Sequence, residues 1–435
     1  MRLDRLDPYL TTFTATVTAL RGDDDGTWVA LDRSAFYPTA GGQPHDTGTL
    51  SGRPVTDVRS EDGVVWHLVP VDDGKPPRPA PAAATKQRSG ANREAVHGAL
   101  GVGAAVVGRV DWDRRFRHMQ RHTGQHLLSQ AFIRVGKTLG ADFGTKAVSL
   151  RSADCTLDLA NDPAAELDAA VCARAQEAAN EAARLAMPVS AFEVDERSLD
   201  GFELRRPAKV RGLVRLIAIG DYDLVACGGT HVRNSAELLP IAVLGSERVR
   251  GGLTRVTFRV GSEAVEDAAR KHAVVSSVSV ALSSPAADVP SQVGRLQAEL
   301  LEARQALVAA RAVTARSMAA AAVAASTNAS GARLVRIVER DGAGMLDALV
   351  DRLQTEEGVV ALCASVEGSA VRLGFTAGPA TGVDVRPALK AALAVIEGRG
   401  GGRPDRAMGA GTAVARVDEA LDAAASVLGA RVAPR

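Results

Sequence analysis

Cysteine is scarce in this chain. The four present, Cys155, Cys172, Cys227 and Cys363, show no disulfide-like spacing across 435 residues. That excludes a disulfide framework and fits a reducing, cytoplasmic setting. Charge of one sign is also lacking: Lys and Arg number 52 against 51 Asp and Glu, a net of +1. Bulk charge therefore names no partner, and any nucleic-acid surface has to come from local clustering. Long apolar runs are missing too. Stretches such as residues 318–325 are too short and too rich in alanine to span a membrane. Met1-Arg2-Leu3-Asp4-Arg5 carries no apolar signal-peptide core. Aromatics are 3% of residues while hydrophobic residues reach 46%, much of it alanine, a balance that favours helices.

The length is ample for a large core and implies two or three domains. Residues 13–70 read as β-rich, with strand-like runs at 13–20, 28–32, 55–58 and 64–69. Residues 75–84 are rich in proline and alanine and read as a linker-like excursion. A strand follows at 106–112, then a helix at 119–132. Further strands are expected at 147–150, 155–159, 189–194, 213–219 and 222–226, with a long helix at 163–186; Cys155 and Cys172 read as core. Residues 262–325 are helical. There Val293, Leu296, Leu300, Ala303 and Leu307 recur every three to four residues beside charged neighbours, which suits a coiled-coil hairpin or an arm. Beyond that, strands and helices alternate around the glycine-rich residues 398–411, which bear Arg399, Arg403 and Arg406. A loop of this kind before a helix can hold phosphate, although it lacks the Gly-Lys-Ser/Thr of a Walker loop.

The expected class is α+β. Residues 1–112 form a β-rich segment and 113–261 an α/β segment. Residues 262–330 form a helical, coiled-coil-like arm, and 331–435 a C-terminal α/β domain.

Two short motifs carry the chemistry. His122 and His126 stand at i and i+4 in a helical stretch, so their imidazoles share one face. Cys227-Gly228-Gly229-Thr230-His231 adds a thiol and a third imidazole after a predicted hairpin. Histidine and cysteine are the usual zinc ligands. Each motif alone is as well explained by surface or core residues. Together, in a chain with eight histidines and four cysteines, they point to one shared metal site. Arg114, Arg115, Arg117 and Arg121 form a basic run beside it, either a solvated helix face or phosphate contacts. Residues 34–44 contain Gly41-Gly42 flanked by Thr39 and Gln43; this reads either as a simple inter-strand loop or as a backbone approach to a ligand.

Phe36-Tyr37-Pro38 through Gly41-Gly42-Gln43, His122-x-x-x-His126-Leu127-Leu128 and Cys227-Gly228-Gly229-Thr230-His231 occur in this order. Together they resemble the alanyl-tRNA editing family: the editing domain of alanyl-tRNA synthetase and its free-standing AlaX relatives. Residues 398–411 resemble the DHH-associated domain that ends the longer members. The start of the editing region near Phe13, with no aminoacylation domain before it, suggests a free-standing, trans-acting protein.

The resemblance implies hydrolysis of tRNA(Ala) mischarged with serine, and of the glycyl ester. It implies one zinc ion held by His122, His126, Cys227 and His231. Thr39 is then the candidate contact for the serine hydroxyl and Gln125 a lesser one. Arg114, Arg115, Arg399, Arg403 and Arg406 are candidate RNA contacts, and a homodimer through the arm or the C-terminal domain is a further expectation. Four protein ligands would close a tetrahedral site, which is the usual sign of structural zinc. No general base stands out, and Asp221 and Asp223 read as turn residues. Two other readings stand beside this one. One is a non-catalytic tRNA-binding protein with structural zinc. The other is editing of seryl-tRNA(Thr), which the Cys-Gly-Gly-Thr-His motif and the C-terminal domain disfavour.

Overall fold

The computed structural model describes residues 1–70, 100–208, 211–329, 332–340 and 344–429. The proline- and alanine-rich stretch expected at 75–84 lies outside the described residues. The fold mixes helix and sheet and divides into two compact units, Met1–Ser276 and Ser277–Arg435.

The first unit opens with a short helix, α1 (Leu3–Leu6), and an antiparallel sheet. Its strands are β1 (Thr12–Asp23), β2 (Gly26–Leu31), β3 (Gly48–Leu50), β4 (Arg53–Val55), β5 (Asp57–Glu61), β6 (Val64–Pro70) and β7 (Ala105–Val110), in the order β4-β3-β7-β1-β2-β6-β5. Alternation drives this sheet. Phe13, Ala15 and Val17 point inward and Thr12, Thr14 and Thr16 outward, the period-two pattern of a half-buried strand. The inward faces meet Val29, Phe36, Leu50, Val58, Val106 and Val110 in one core.

The 27-residue helix α2 (Trp112–Thr138) follows at once. The Asp111 carboxylate caps it by accepting from the Arg114 N–H at 3.2 Å, which satisfies one of the otherwise unpaired first-turn donors. The helix is the central strut of its unit, buried almost without interruption from His118 to Phe132. Gly124 permits this. A Cβ there would lie 2.6 Å from Val260 Cγ2, so the absent side chain lets α2 press against a strand behind it. That strand is part of a second sheet made of β8 (Thr145–Ser149), β9 (Cys155–Ala160), β13 (Ile241–Val249) and β14 (Leu253–Val260), ordered β13-β14-β9-β8. Helix α3 (Ala169–Arg184) packs with them, and β10 (Val189–Asp195), β11 (Leu213–Ile219) and β12 (Asp223–Ala226) form a third sheet. Cys155 and Cys172 are buried in the core of this unit and Cys363 in that of the other, and all four cysteines are free.

Arg115 is the first correction to the sequence reading. Expected at an RNA surface, it is fully buried. Its guanidinium pairs with the equally buried Asp46 and donates to the carbonyls of Pro8 (2.8 Å) and Ala35 (2.5 Å). Asp46 also accepts from the Tyr37 N–H at 2.6 Å. The charge is spent on fastening residues 35–46 to α2 and cannot reach a phosphate. Arg121 likewise pairs with buried Glu263, and Arg117 with Glu266.

Helix α4 (Ser262–Ala281) runs across the unit boundary. In the second unit, α5 (Val289–Ala324) leads to a sheet with strands β15 (Thr327–Ala329), β16 (Ala332–Glu339), β17 (Val359–Glu367), β18 (Ala370–Ala377), β19 (Arg399–Arg403) and β20 (Arg406–Gly411). The order is β15-β16-β17-β18-β20-β19, with β16 and β17 parallel and the other pairs antiparallel. Helices α6 (Leu346–Gln354), α7 (Arg386–Val395) and α8 (Val417–Val427) cover it. The stripe expected to be buried in a coiled coil is exposed: Val293 by 40%, Leu296 by 45%, Leu300 by 52% and Leu307 by 50%. Among the described residues, the helical stretch Ala286–Ala324 is long and apolar enough by composition to cross a membrane. Arg295, Glu299, Glu302, Arg304, Arg311 and Arg316 punctuate it, and each charge at a bilayer centre costs about 2.5–3.5 kcal/mol.

The glycine-rich residues 398–411 are the second correction. They form the β19–β20 hairpin, with Arg399 opposite Ala410 and Arg403 opposite Arg406. They are not a phosphate loop at a helix N-terminus, because α8 begins only at Val417.

Replacing Asp46 by alanine would leave the Arg115 charge buried and unpaired. A loss of roughly 3–5 kcal/mol is expected, read as the shift in urea unfolding. A shift below about 1 kcal/mol would show that the pair does not hold residues 35–46 in place.

Candidate metal centre

Helix α2 and the turn after β12 bring the two motifs together. His122 and His126 project from one face of α2, and Cys227 and His231 come from the segment that leaves β12. Their ligand atoms all lie within 4.8 Å of one another. Ring centroids are 5.2 Å apart for His122 and His126, 4.5 Å for His122 and His231, and 4.8 Å for His126 and His231. All three imidazoles are buried and Cys227 is half-buried, beside the exposed Gly228.

The donor set fits a tetrahedral metal. Cys227 Sγ lies 3.3 Å from His122 Nε2 and 3.4 Å from His231 Nε2. Zinc bonds of about 2.3 Å to sulfur and 2.0–2.1 Å to nitrogen put such neighbours roughly 3.5 Å apart at the tetrahedral angle. The other ring nitrogens face protein groups. His122 Nδ1 is 2.7 Å from Gln43 Oε1, and His231 Nδ1 is 3.1 Å from Thr123 Oγ1. His126 Nδ1 lies 3.6 Å from Asp223 Oδ2 and makes no hydrogen bond. Tying one nitrogen to an oxygen frees the other for a metal.

The electrostatics agree with a ligand set. Burial pushes the His231 imidazole down to about 4 and His126 well below its ordinary value. Burial alone would raise the Cys227 thiol, but His122, His231 and His126 around it outweigh that and hold it well below its ordinary value. The thiolate is the form that binds metal. Asp223 is raised to about 6 by burial, against the pull of Arg205 at 2.8 Å.

Asp223 is the third correction. It is not a turn residue: it begins β12 fully enclosed, paired with Arg205 and facing His126. The signal was its place in a strand of alternating burial, four residues before Cys227, where positions 223, 225 and 227 share a face. Thr123, one residue after His122, was also missed; its hydroxyl accepts from the Val232 N–H as well as meeting His231.

The remaining expected residues scatter. Thr39 is exposed, and its hydroxyl is engaged by the ring and the N–H of His45 at 3.1 Å each. Gln125 is buried on α2 and donates to Ser129 at 2.8 Å. Arg114 is half-buried and donates to the His45 carbonyl. In the second unit, Arg399 is exposed beside Arg386 and Lys390 on a groove of about 550 Å³. Arg406 pairs with Asp351, and Arg403 lies 3.3 Å from Asp405.

Comparison with known proteins finds one family match in each unit. The second additional domain of threonyl and alanyl tRNA synthetases matches residues 214–257, which include Cys227 and His231. The DHHA1 domain matches residues 333–430. The alanine–tRNA ligase of Pyrococcus abyssi is 28% identical over 435 residues, covering 97% of this chain and 43% of that protein. The Mycobacterium avium enzyme is 30% identical over 430 residues, covering 92% and 44%. The chain thus spans less than half the length of these relatives. The C-Ala domain of Aquifex aeolicus alanyl-tRNA synthetase, at 24% identity, aligns with 24% of this chain and 97% of that domain, with a TM-score of 0.23, too low to bear on the fold. A synthetase-type additional domain holding two of the clustered side chains, followed by a DHHA1 domain, defines a protein of the tRNA-editing class. The chain belongs to the alanyl-tRNA editing family.

Gly229 gives a direct test of the cluster. A Cβ there would sit 2.1 Å from His122 Cε1 and 2.3 Å from its Nδ1, so G229A must displace the ring. Zinc per folded chain, measured after dialysis, is expected to fall well below the wild-type value. Equal zinc content would show that His122 is not a ligand.

Proposed function

We propose that this protein is an aminoacyl-tRNA deacylase that hydrolyses tRNA(Ala) mischarged with serine or glycine. In this reading one zinc ion is held by His122, His126, Cys227 and His231, and the protein works in the cytoplasm. The observation that carries the reading is the convergence of those four side chains, with two of the three imidazoles anchored through Nδ1 and the third facing a buried carboxylate.

The need for such an activity is physical. A synthetase pocket shaped for alanine cannot exclude smaller glycine, nor strongly reject a side chain that adds one hydroxyl, so a second, hydrolytic sieve is required. Zinc in this centre supplies Lewis-acid polarisation of an ester carbonyl or of water. The protein's own part is positional. Gln43 and Thr123 meet the rings of His122 and His231, Asp223 faces that of His126, and the half-buried Cys227 marks the side open to a substrate. Thr39 is the proposed contact for a serine hydroxyl, with Gln125 the lesser candidate.

The segments 1–112, 113–261, 262–330 and 331–435 are proposed as the working divisions. Arg114, Arg399, Arg403 and Arg406 are proposed tRNA contacts; Arg399 has the most support, because Arg386 and Lys390 share its groove. A homodimer through α5 is supported by its exposed stripe and by Glu299 and Arg304, which stand at complementary flanking heptad positions when Val293 and Leu296 face a partner helix. A single-chain mass in solution would remove the dimer.

The test is deacylation of seryl-, glycyl- and alanyl-tRNA(Ala), with seryl-tRNA(Thr) as control. The protein is expected to release serine and glycine and spare alanine. Chelation or H126A is expected to abolish release while tRNA is still bound, and Thr39→Val to reduce the preference for serine. Stable esters in the presence of bound zinc would favour a tRNA-binding protein with structural zinc. Full activity without zinc would remove the metal from the mechanism. Arg399→Ala is expected to weaken tRNA binding and to lower the slope of log affinity against log salt by about 1; an unchanged slope would take Arg399 off the RNA surface.

A further inference from the structure

Gln43 is fully buried although it sits on a surface loop. Its backbone turns back at once: Ala40 and Gln43 exchange N–H to carbonyl bonds of 3.2 and 2.9 Å. The turn between them uses Gly41 at φ +56° and Gly42 at φ +87°, a conformation that L side chains resist. The glycine pair therefore serves to aim Gln43 inward.

The amide orientation follows from its neighbours. The Thr230 backbone N–H, which can only donate, faces Gln43 Oε1 at 3.3 Å. Gln43 Nε2 donates to Thr230 Oγ1 at 2.8 Å. The atom nearest His122 Nδ1, at 2.7 Å, is that same Oε1. An oxygen with no hydrogen can only accept, so His122 carries its proton on Nδ1 and its lone pair on Nε2. Nε2 is the nitrogen that points at Cys227 Sγ.

The loop is also held at both ends on one helix. Residues 35–46 are clamped by Arg115 through Ala35 and Asp46, and touch His122 through Gln43. Residues 115 and 122 are two turns apart on the same face of α2. Gly229 completes the fit, since a Cβ there would come within 3.0 Å of Gln43 Oε1.

We infer that Gln43 is a positioning residue of the metal centre, fixing the tautomer and orientation of His122 so that Nε2 is the metal-binding atom. The inference rests on the metal reading proposed above. It gives the glycine–glycine–glutamine turn a task within the metal centre.

The test is zinc affinity, by competition with a chelator of known affinity, for wild type, Gln43→Met, Gln43→Ala and Gln43→Glu, with thermal unfolding of each followed in parallel. Methionine and alanine both remove the acceptor, one preserving volume and one not. Glutamate keeps an acceptor for Nδ1–H. Folded Gln43→Met or Gln43→Ala is expected to bind zinc about 10–100-fold more weakly, and Gln43→Glu to stay within a few-fold of wild type. Either acceptor-free variant binding at wild-type strength overturns the inference. So does Gln43→Glu losing as much affinity as they do, since that would mean a packing role. Should one acceptor-free variant not fold, the other decides. A wild-type protein that takes up no zinc would instead overturn the metal reading itself, and this inference with it.

Discussion

Three imidazoles and a thiol confined to one buried space impose the constraint on which the first unit depends. Each imidazole has two nitrogens, and a metal can use one. The other must meet a protein oxygen or remain a desolvated polar atom, which costs free energy. The three oxygens facing them come from three places: Gln43 from the loop between β2 and β3, Thr123 from α2 itself and Asp223 from the start of β12. A site of this kind cannot belong to one helix or one hairpin. The whole first unit has to fold before its four residues acquire their surroundings.

Helix α2 is the common reference for these parts. It carries two of the clustered residues and also Arg115, whose buried ion pair holds the loop that delivers Gln43. A buried pair is seldom retained for stability alone, since apolar replacements often serve as well. Here it spans chain segments that no local contact would join, and it registers the loop against the helix along which His122 lies. Structural and chemical roles therefore share one face, and Arg115 acts on the protein itself.

Much of this was legible in the sequence. The strands at Thr12–Asp23 and Leu213–Ile219 show in their alternation or β-rich composition, and α2 shows in the spacing of Leu127, Leu128, Ala131 and Phe132. The four clustered residues show in two short motifs. What could not be read were pairings between distant segments. Arg115 looks like any member of a basic run until Asp46 is found beside it. Asp223 looks like a turn residue until β12 carries it inside with Arg205. Residues 398–411 suggest a loop because glycine is a poor strand former, yet pairing with β18 and with themselves makes them a hairpin. In each case a tertiary partner overrode the local preference.

The absence of a side chain at Gly124 has a further consequence. His122 and His126 sit on one face of α2 while the other is seated against Val260, with no spare layer between. The depth of that seat sets how far the helix-borne pair stands from Cys227 and His231. The bulk of a strand residue that touches no ligand is thus a mechanical adjustment on the bite of the centre. Position 260 offers a way to alter the spacing of the cluster while leaving all four of its side chains intact.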